Sequence, residues 1–262
     1  MKKHLFLYPL FFLLTFPFCN AQKNVSTFVI EAPQLQSTKK IWLYLPENYN
    51  ATTKKYPVLY LHDAQNLFDA STSYAGEWRI DETLDSLKAE IIVVGIAHEN
   101  EKRIDELTPF KHEEYGGGGA ASYLDFIVNT LKPRIDSTYR TKTGKYNTAI
   151  GGSSLGGLVS YYAALQYPKV FGKAMVFSPS FWFNPALYVQ TEKLKTLKTK
   201  LYFMCGDAES ETMVSDMNKM VDLVNDKRCS CEHLTKKVVV IGGKHNEKLW
   251  AREFAKAYLW LF

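Results

Sequence analysis

Residues 149–165, AIGGSSLGGLVSYYAAL, set two serines among four glycines just ahead of a helical pattern. The stretch fits Gly-x-Ser-x-Gly in one frame, Gly152-Ser153-Ser154-Leu155-Gly156. A serine held in a sharp strand-to-helix turn exposes its hydroxyl for attack on an ester or amide carbonyl, and positions two residues to either side must be small to clear the strand and helix. With Ser153 as nucleophile the later position would be Leu155, which is too large, so Ser154 is the candidate.

A serine hydroxyl needs a base to take its proton and a carboxylate to orient that base. Around a serine elbow of this kind they follow in the order Ser, Asp/Glu, His. His62, His98 and His112 precede the serine, and His233 stands at the start of the last expected strand, the wrong end for catalytic groups. His245 follows VVVIGGK and precedes the final helical stretch. The turn after the preceding strand, LYFMCGDAES, offers Asp207 and Glu209, and spacing alone leaves both open; Asp207 after Gly206 equally suits a turn or helix cap. Stabilising the oxyanion of a tetrahedral intermediate takes two backbone N–H groups, one from the residue after the nucleophile and one from an early strand-end loop. Leu155 supplies the first. YLHDAQNLFD at 60–69 supplies the second through Ala64 or Gln65, with His62 and Asp63 holding the loop in shape.

The elements around these residues predict an α/β fold. TFVIEA and KKIWLYLP form an early hairpin. The apolar runs PVLYLH, EIIVVGIA, YNTAIGG, KAMVFSP, KLYFMCG and KKVVVIGG then alternate with helical stretches near 80–89, 121–138, 155–167, 210–225 and 247–261. Such runs separated by helices predict a mostly parallel central sheet covered on both faces. A chain of 262 residues with 46% hydrophobic and 23% charged residues suits one domain. YGGGG at 115–119 lacks the terminal Lys-Ser/Thr of a phosphate-binding loop, so it reads as a loop or a mobile rim beside a pocket.

Residues 1–21 read as a secretory leader: Lys2, Lys3 and His4, an apolar run broken by Pro9 and Pro17, and small residues before a cut after Ala21. The run falls short of the roughly 20 apolar residues that span a bilayer. The mature chain, residues 22–262, is then exported, periplasmic or extracellular. Loss of Lys2 and Lys3 lowers the formal charge from +5 to +3, which points to no nucleic-acid partner. Cys205 ends one expected strand while Cys229 and Cys231 precede the next, at the opposite edge, so no disulfide to Cys205 is expected, and a Cys-x-Cys pair falls short of a zinc site.

Taken in order, YLHDAQNLFD, GEWRIDETLD, ELTP, YLDFIVNTLKPRID, YRT, GGSSLGGLVSYYAALQYP, VFSPSFW and GGKHNE resemble the putative-esterase family of α/β-hydrolases, with its esterase D-like, enterochelin-esterase-like, feruloyl and acetylxylan esterases. The resemblance spans nearly the whole mature chain. It implies an α/β-hydrolase fold and a serine carboxylesterase without metal or organic cofactor, acting on polysaccharide-linked acyl or feruloyl esters or on a catecholate siderophore ester. It also implies Glu209 as the acid, through the family's Gly-x-x-acid pattern at Gly206-Asp207-Ala208-Glu209. Its loop commonly reads His-Asp-Gly-Gln, and here Ala64 stands at the glycine; a left-handed φ there would cost about 1 kcal/mol. FSPSFWFNP at 177–185 is expected to turn at least one of Phe181, Trp182 and Phe183 toward the cleft. The rival functions are an acyltransferase on the same fold and a non-catalytic binding protein on a hydrolase scaffold.

Overall fold

The computed structural model describes residues 24–228 and 233–262. The leader and the Cys229–Cys231 pair therefore lie outside the described residues, and Cys205 is a buried free thiol. The strands are β1 (Val25–Ala32), β2 (Ser37–Tyr44), β3 (Val58–His62), β4 (Ile92–Ile96), β5 (Thr148–Ser153), β6 (Lys173–Phe177), β7 (Lys200–Gly206) and β8 (Thr235–Val240). The helices are α1 (Ile80–Ser86), α2 (Arg103–Leu107), α3 (Ala120–Phe126), α4 (Lys132–Thr138), α5 (Leu155–Gln166), α6 (Ala186–Glu192), α7 (Met213–Asp226) and α8 (Glu247–Leu261). The expected helix over 121–138 is α3 and α4 joined by a wide π turn at Ile127–Leu131.

All eight strands form one sheet in the order β1-β2-β4-β3-β5-β6-β7-β8. The β1-β2 hairpin and the β2-β4 pair are antiparallel, and every pair from β4-β3 to β7-β8 is parallel. This is the α/β fold with a mostly parallel sheet that the apolar runs predicted. β3 and β4 are buried along their whole length because both faces are covered. Val58 and Tyr60 point to one side, with Leu158, Val159 and Tyr161 of α5. Leu59 and Leu61 point to the other, with Leu249, Trp250 and Phe254 of α8. The strand order reverses between β3 and β5, and the carboxyl ends on either side of such a reversal open a crevice for ligands.

α2, one turn long, cannot hold itself. A buried ion pair fixes it to the sheet: Lys39 Nζ, on β2, lies 2.5 and 2.7 Å from the two carboxylate oxygens of Glu106, with side chains 1% and 4% exposed. Removing one partner of such a pair leaves an uncompensated buried charge, whereas replacing both with apolar groups is often neutral. Lys39→Met should therefore cost about 3 kcal/mol in urea unfolding, and Lys39→Met with Glu106→Leu should recover most of it.

Candidate active site

Ser154 follows β5 directly and has φ 58° and ψ −121°, a conformation that L-residues rarely adopt. Its N–H donates to the Phe177 carbonyl at 3.0 Å, and its own carbonyl accepts from Leu158 N–H at 3.0 Å and Ser180 N–H at 3.2 Å. A Cβ on Gly152 would stand 3.1 Å from the Gly156 backbone and from His62 Cδ2. The chain is thus pinched two residues to either side of Ser154, as the frame requires. Ser153 ends β5 in register with Phe177 and is buried. Ser154 Oγ lies 3.3 Å from Ser180 Oγ. Leu155 opens α5, and the first N–H groups of a helix have no acceptor within it.

His245 Nδ1 lies 2.7 Å from Glu209 Oε2, so the structure brings Glu209, not Asp207, against the histidine. Asp207 Oδ1 instead accepts from Gly242 N–H at 2.7 Å and ties the two loops together. The Glu209 side chain is fully buried, and its Oε1 accepts from Gly206 N–H at 2.5 Å and Ser178 Oγ at 2.7 Å. Trp250 Nε1 donates to that same Ser178 Oγ at 2.8 Å, and its ring stands edge-on to His245 at 5.0 Å. The loops can meet because Gly206 has no side chain: a Cβ there would lie 2.2 Å from the Gly243 carbonyl oxygen.

In the turn after β3 the left-handed residue is Asp63, at φ 57°, and Ala64 begins a short 3-10 turn. The strain expected at Ala64 is therefore absent from that residue, because the reversal is made one position earlier. Arg103 grips the Asp63 carboxylate with two 2.8 Å hydrogen bonds. Burial opposes ionisation of Asp63, but the Arg103 charge and hydrogen bonds prevail and hold it below the usual carboxylate range. Gln65 spans to the backbone of His98, donating to its carbonyl at 2.5 Å. His62 is buried, with Nδ1 2.8 Å from Tyr123 Oη.

Ser154 and His245 line one cleft of about 740 Å³, with Asp63, Gln65, His98, Arg103 and Glu247. Burial raises Glu247 above the usual carboxylate range. The expected aromatic wall is not among the residues lining this cleft: Phe181 and Phe183 fill the core, and Trp182, 51% exposed, meets Tyr115 and His112 instead. The glycine stretch is likewise away from the cleft, held by Gly118 N–H to Thr108 Oγ1 at 2.9 Å and by backbone bonds between His112 and Gly116. Arg103, Glu247, Ser178 and Trp250 were not read from the sequence as site residues, and His98 was set aside as preceding the serine. Arg103 lies 40 residues from Asp63 and Trp250 lies 72 from Ser178, so no local spacing reports either pair.

Residues 32–261 match the protein family described as "Putative esterase". The chain belongs to this family. It is a carboxylic-ester hydrolase with the α/β-hydrolase architecture. Over 249 residues it is 26% identical to an endo-1,4-beta-xylanase/feruloyl esterase of Xylanibacter ruminicola, covering 90% of this chain and 31% of the relative. Over 151 residues it is 30% identical to the siderophore triacetylfusarinine C esterase of Aspergillus fumigatus, covering 55% of this chain and 50% of the relative. The crystal structure of the enterobactin esterase of Shigella flexneri superposes with a TM-score of 0.77 at 16% identity, over 92% of this chain and 59% of that one.

Two outcomes follow from the hydrogen bonds. Trp250→Phe keeps the ring beside His245 but removes the donor to Ser178, and steady-state kinetics on an aryl acetate should show kcat lower by about tenfold with little change in KM. Burial lowers His62 from its ordinary value to about 4. At His62 the unfolded chain therefore binds more protons than the folded one between roughly pH 6.5 and 4, a contribution that costs the folded state roughly 3 kcal/mol as pH drops across that window. Urea unfolding of the parent and of His62→Asn at a series of pH values isolates it: relative to the parent, the variant should lose less stability, or gain more, between roughly pH 6.5 and 4.

Proposed function

We propose that this hydrolase is a serine esterase working through an acyl-enzyme, with Ser154 as nucleophile, His245 as general base and acid, and Glu209 orienting the imidazole. The observation that carries the reading is the bond from His245 Nδ1 to a buried Glu209 oxygen beside a serine in an elbow conformation. The Nδ1 proton is held by the carboxylate, which leaves Nε2 free to accept. In that sequence Nε2 takes the Ser154 Oγ proton as Oγ attacks the ester carbonyl, then returns it to the departing alkoxide. Water, deprotonated by the same nitrogen, attacks the acyl-serine, and Nε2 returns that proton to Ser154 Oγ as the C–Oγ bond breaks and the acid leaves. The developing oxyanion is bound by Leu155 N–H and by the N–H of Ala64 or Gln65. A 3-10 turn leaves its first N–H groups without intrahelical acceptors, and Arg103 holds that turn through Asp63.

The substrate we propose is an acyl or feruloyl ester of a polysaccharide. The cleft walls support a hydroxyl-rich alcohol, since Gln65, Asn66, Thr72, Ser73 and Arg103 give them a polar lining, and the feruloyl esterase relative matches along 90% of this chain. A siderophore ester is the second reading, favoured by the likeness to the Aspergillus enzyme. We also propose export, supported by the leader pattern in residues 1–21; no described helix is long and apolar enough to cross a membrane.

The test is a panel of feruloylated and acetylated xylo-oligosaccharides, a tri-catecholate lactone and aryl acetates, with released acids read by mass spectrometry. Ser154→Ala should lower kcat by roughly 10⁴- to 10⁶-fold, while Ser153→Ala should stay within about tenfold of the parent. Equal losses from the two variants would overturn the assignment of the nucleophile.

A further inference from the structure

Away from the reacting groups, the segment entering α1 gathers three carboxylates. One oxygen each from Glu77, Asp81 and Glu82 lies within 4.8 Å of the other two. Asp81 is 7% exposed, and its Oδ1 receives no hydrogen bond. Arg79 Nε reaches Glu82 Oε1 at 3.2 Å, but those side chains are 66% and 46% exposed. A pair that open to water contributes little, and it leaves Asp81 without a counter-charge. Three converging carboxylates, one of them buried with an oxygen that no donor reaches, repel one another, and a cation among them would relieve both costs.

The geometry points to a Ca²⁺ site built by Glu77, Asp81 and Glu82. Ca²⁺ holds oxygens at about 2.3–2.6 Å in a flexible shell, and three oxygens within 4.8 Å of one another can share it. Mg²⁺, at about 2.1 Å, demands a near-ideal octahedron and sheds its waters reluctantly, so an irregular set of three carboxylates favours Ca²⁺. The hard oxygen donors exclude a preference for soft metals. The site fastens the rim of the cleft. The chain leading to Glu77 supplies Thr72, Ser73, Tyr74 and Ala75 to the cleft wall. Between Glu77 and Asp81, Trp78 donates to the Asn66 carbonyl at 2.7 Å and packs on Phe177 and Trp250. An ion here joins the rim to the start of α1 without touching Ser154, Glu209 or His245.

The full mature chain, stripped with a chelator, would be titrated with CaCl₂ and separately with MgCl₂ by isothermal calorimetry, with thermal unfolding followed in parallel. Neither readout depends on ester hydrolysis, so its result is independent of the proposed activity. One equivalent of Ca²⁺ should bind and raise Tm, since a ligand held by the folded state alone stabilises it, and Mg²⁺ should bind at least about tenfold more weakly. Asp81→Asn and, at a more accessible position that leaves the core intact, Glu77→Gln should each weaken Ca²⁺ binding by about tenfold or more and abolish the Tm shift. Absence of both heat and Tm shift at about 10 mM CaCl₂, or unchanged affinity in both variants, would overturn the site.

Discussion

A serine backbone at φ 58° and ψ −121° persists only where its surroundings over-determine it, and around Ser154 they do so from three directions. The strand behind it is buried along its whole length. The helix ahead of it is buried through its first ten residues. Between them, Gly152 meets the Gly156 backbone and the His62 ring, so any added carbon would force strand and helix apart. The strain, of order 1–3 kcal/mol, is offset by packing that belongs to the core rather than to the site. His62 takes part at a cost of its own, because a ring wedged into that space must remain neutral.

The orienting arm is a chain of hydrogen bonds running out from α8: Trp250 to Ser178, Ser178 to Glu209, Glu209 to His245. A fully buried carboxylate needs donors on both oxygens to remain buried, and Glu209 receives them from three elements at once. Each donor also fixes the carboxylate plane, and the plane fixes the imidazole. The opposite wall follows the same logic with other groups, since Arg103 neutralises Asp63 and α2 is itself held through the Lys39–Glu106 pair. Both walls meet where the strand order reverses between β3 and β5.

The strands were legible because covering both faces of a parallel sheet leaves continuous apolar runs in the sequence; four of the six runs named contain their strand, and β5 and β8 extend past theirs by one residue each, Ser153 and Thr235. The serine frame was legible because steric size two residues away is a local property. The choice between Asp207 and Glu209 was not, since two acids two residues apart differ only in which way the loop aims them, and there the family resemblance carried the argument. The π turn at Ile127–Leu131 left no recognisable mark, because one wide turn barely alters a 3.6-residue period. At least one of Phe181, Trp182 and Phe183 was expected at the cleft, but large rings after a strand are drawn first to the core, which took Phe181 and Phe183 and left Trp182 outside. Ala64 was read as the strained position because the family's glycine stands there; the structure makes the reversal at Asp63, a residue whose short polar side chain tolerates φ > 0.

β8 is the edge strand of the sheet, and none of its residues is fully buried. His245 hangs on the loop that leaves it, whereas Ser154 and Glu209 stand on or beside interior strands. Cooperative units at a sheet margin open at lower free energy than the centre. The three groups therefore do not share one fate under stress: transient fraying of this margin withdraws the imidazole while the elbow and the carboxylate stay in place. With His245 in the proposed role of base, a molecule frayed only at this margin would be folded yet silent, and the lifetime of its activity would be set by one peripheral strand rather than by the strength of the core.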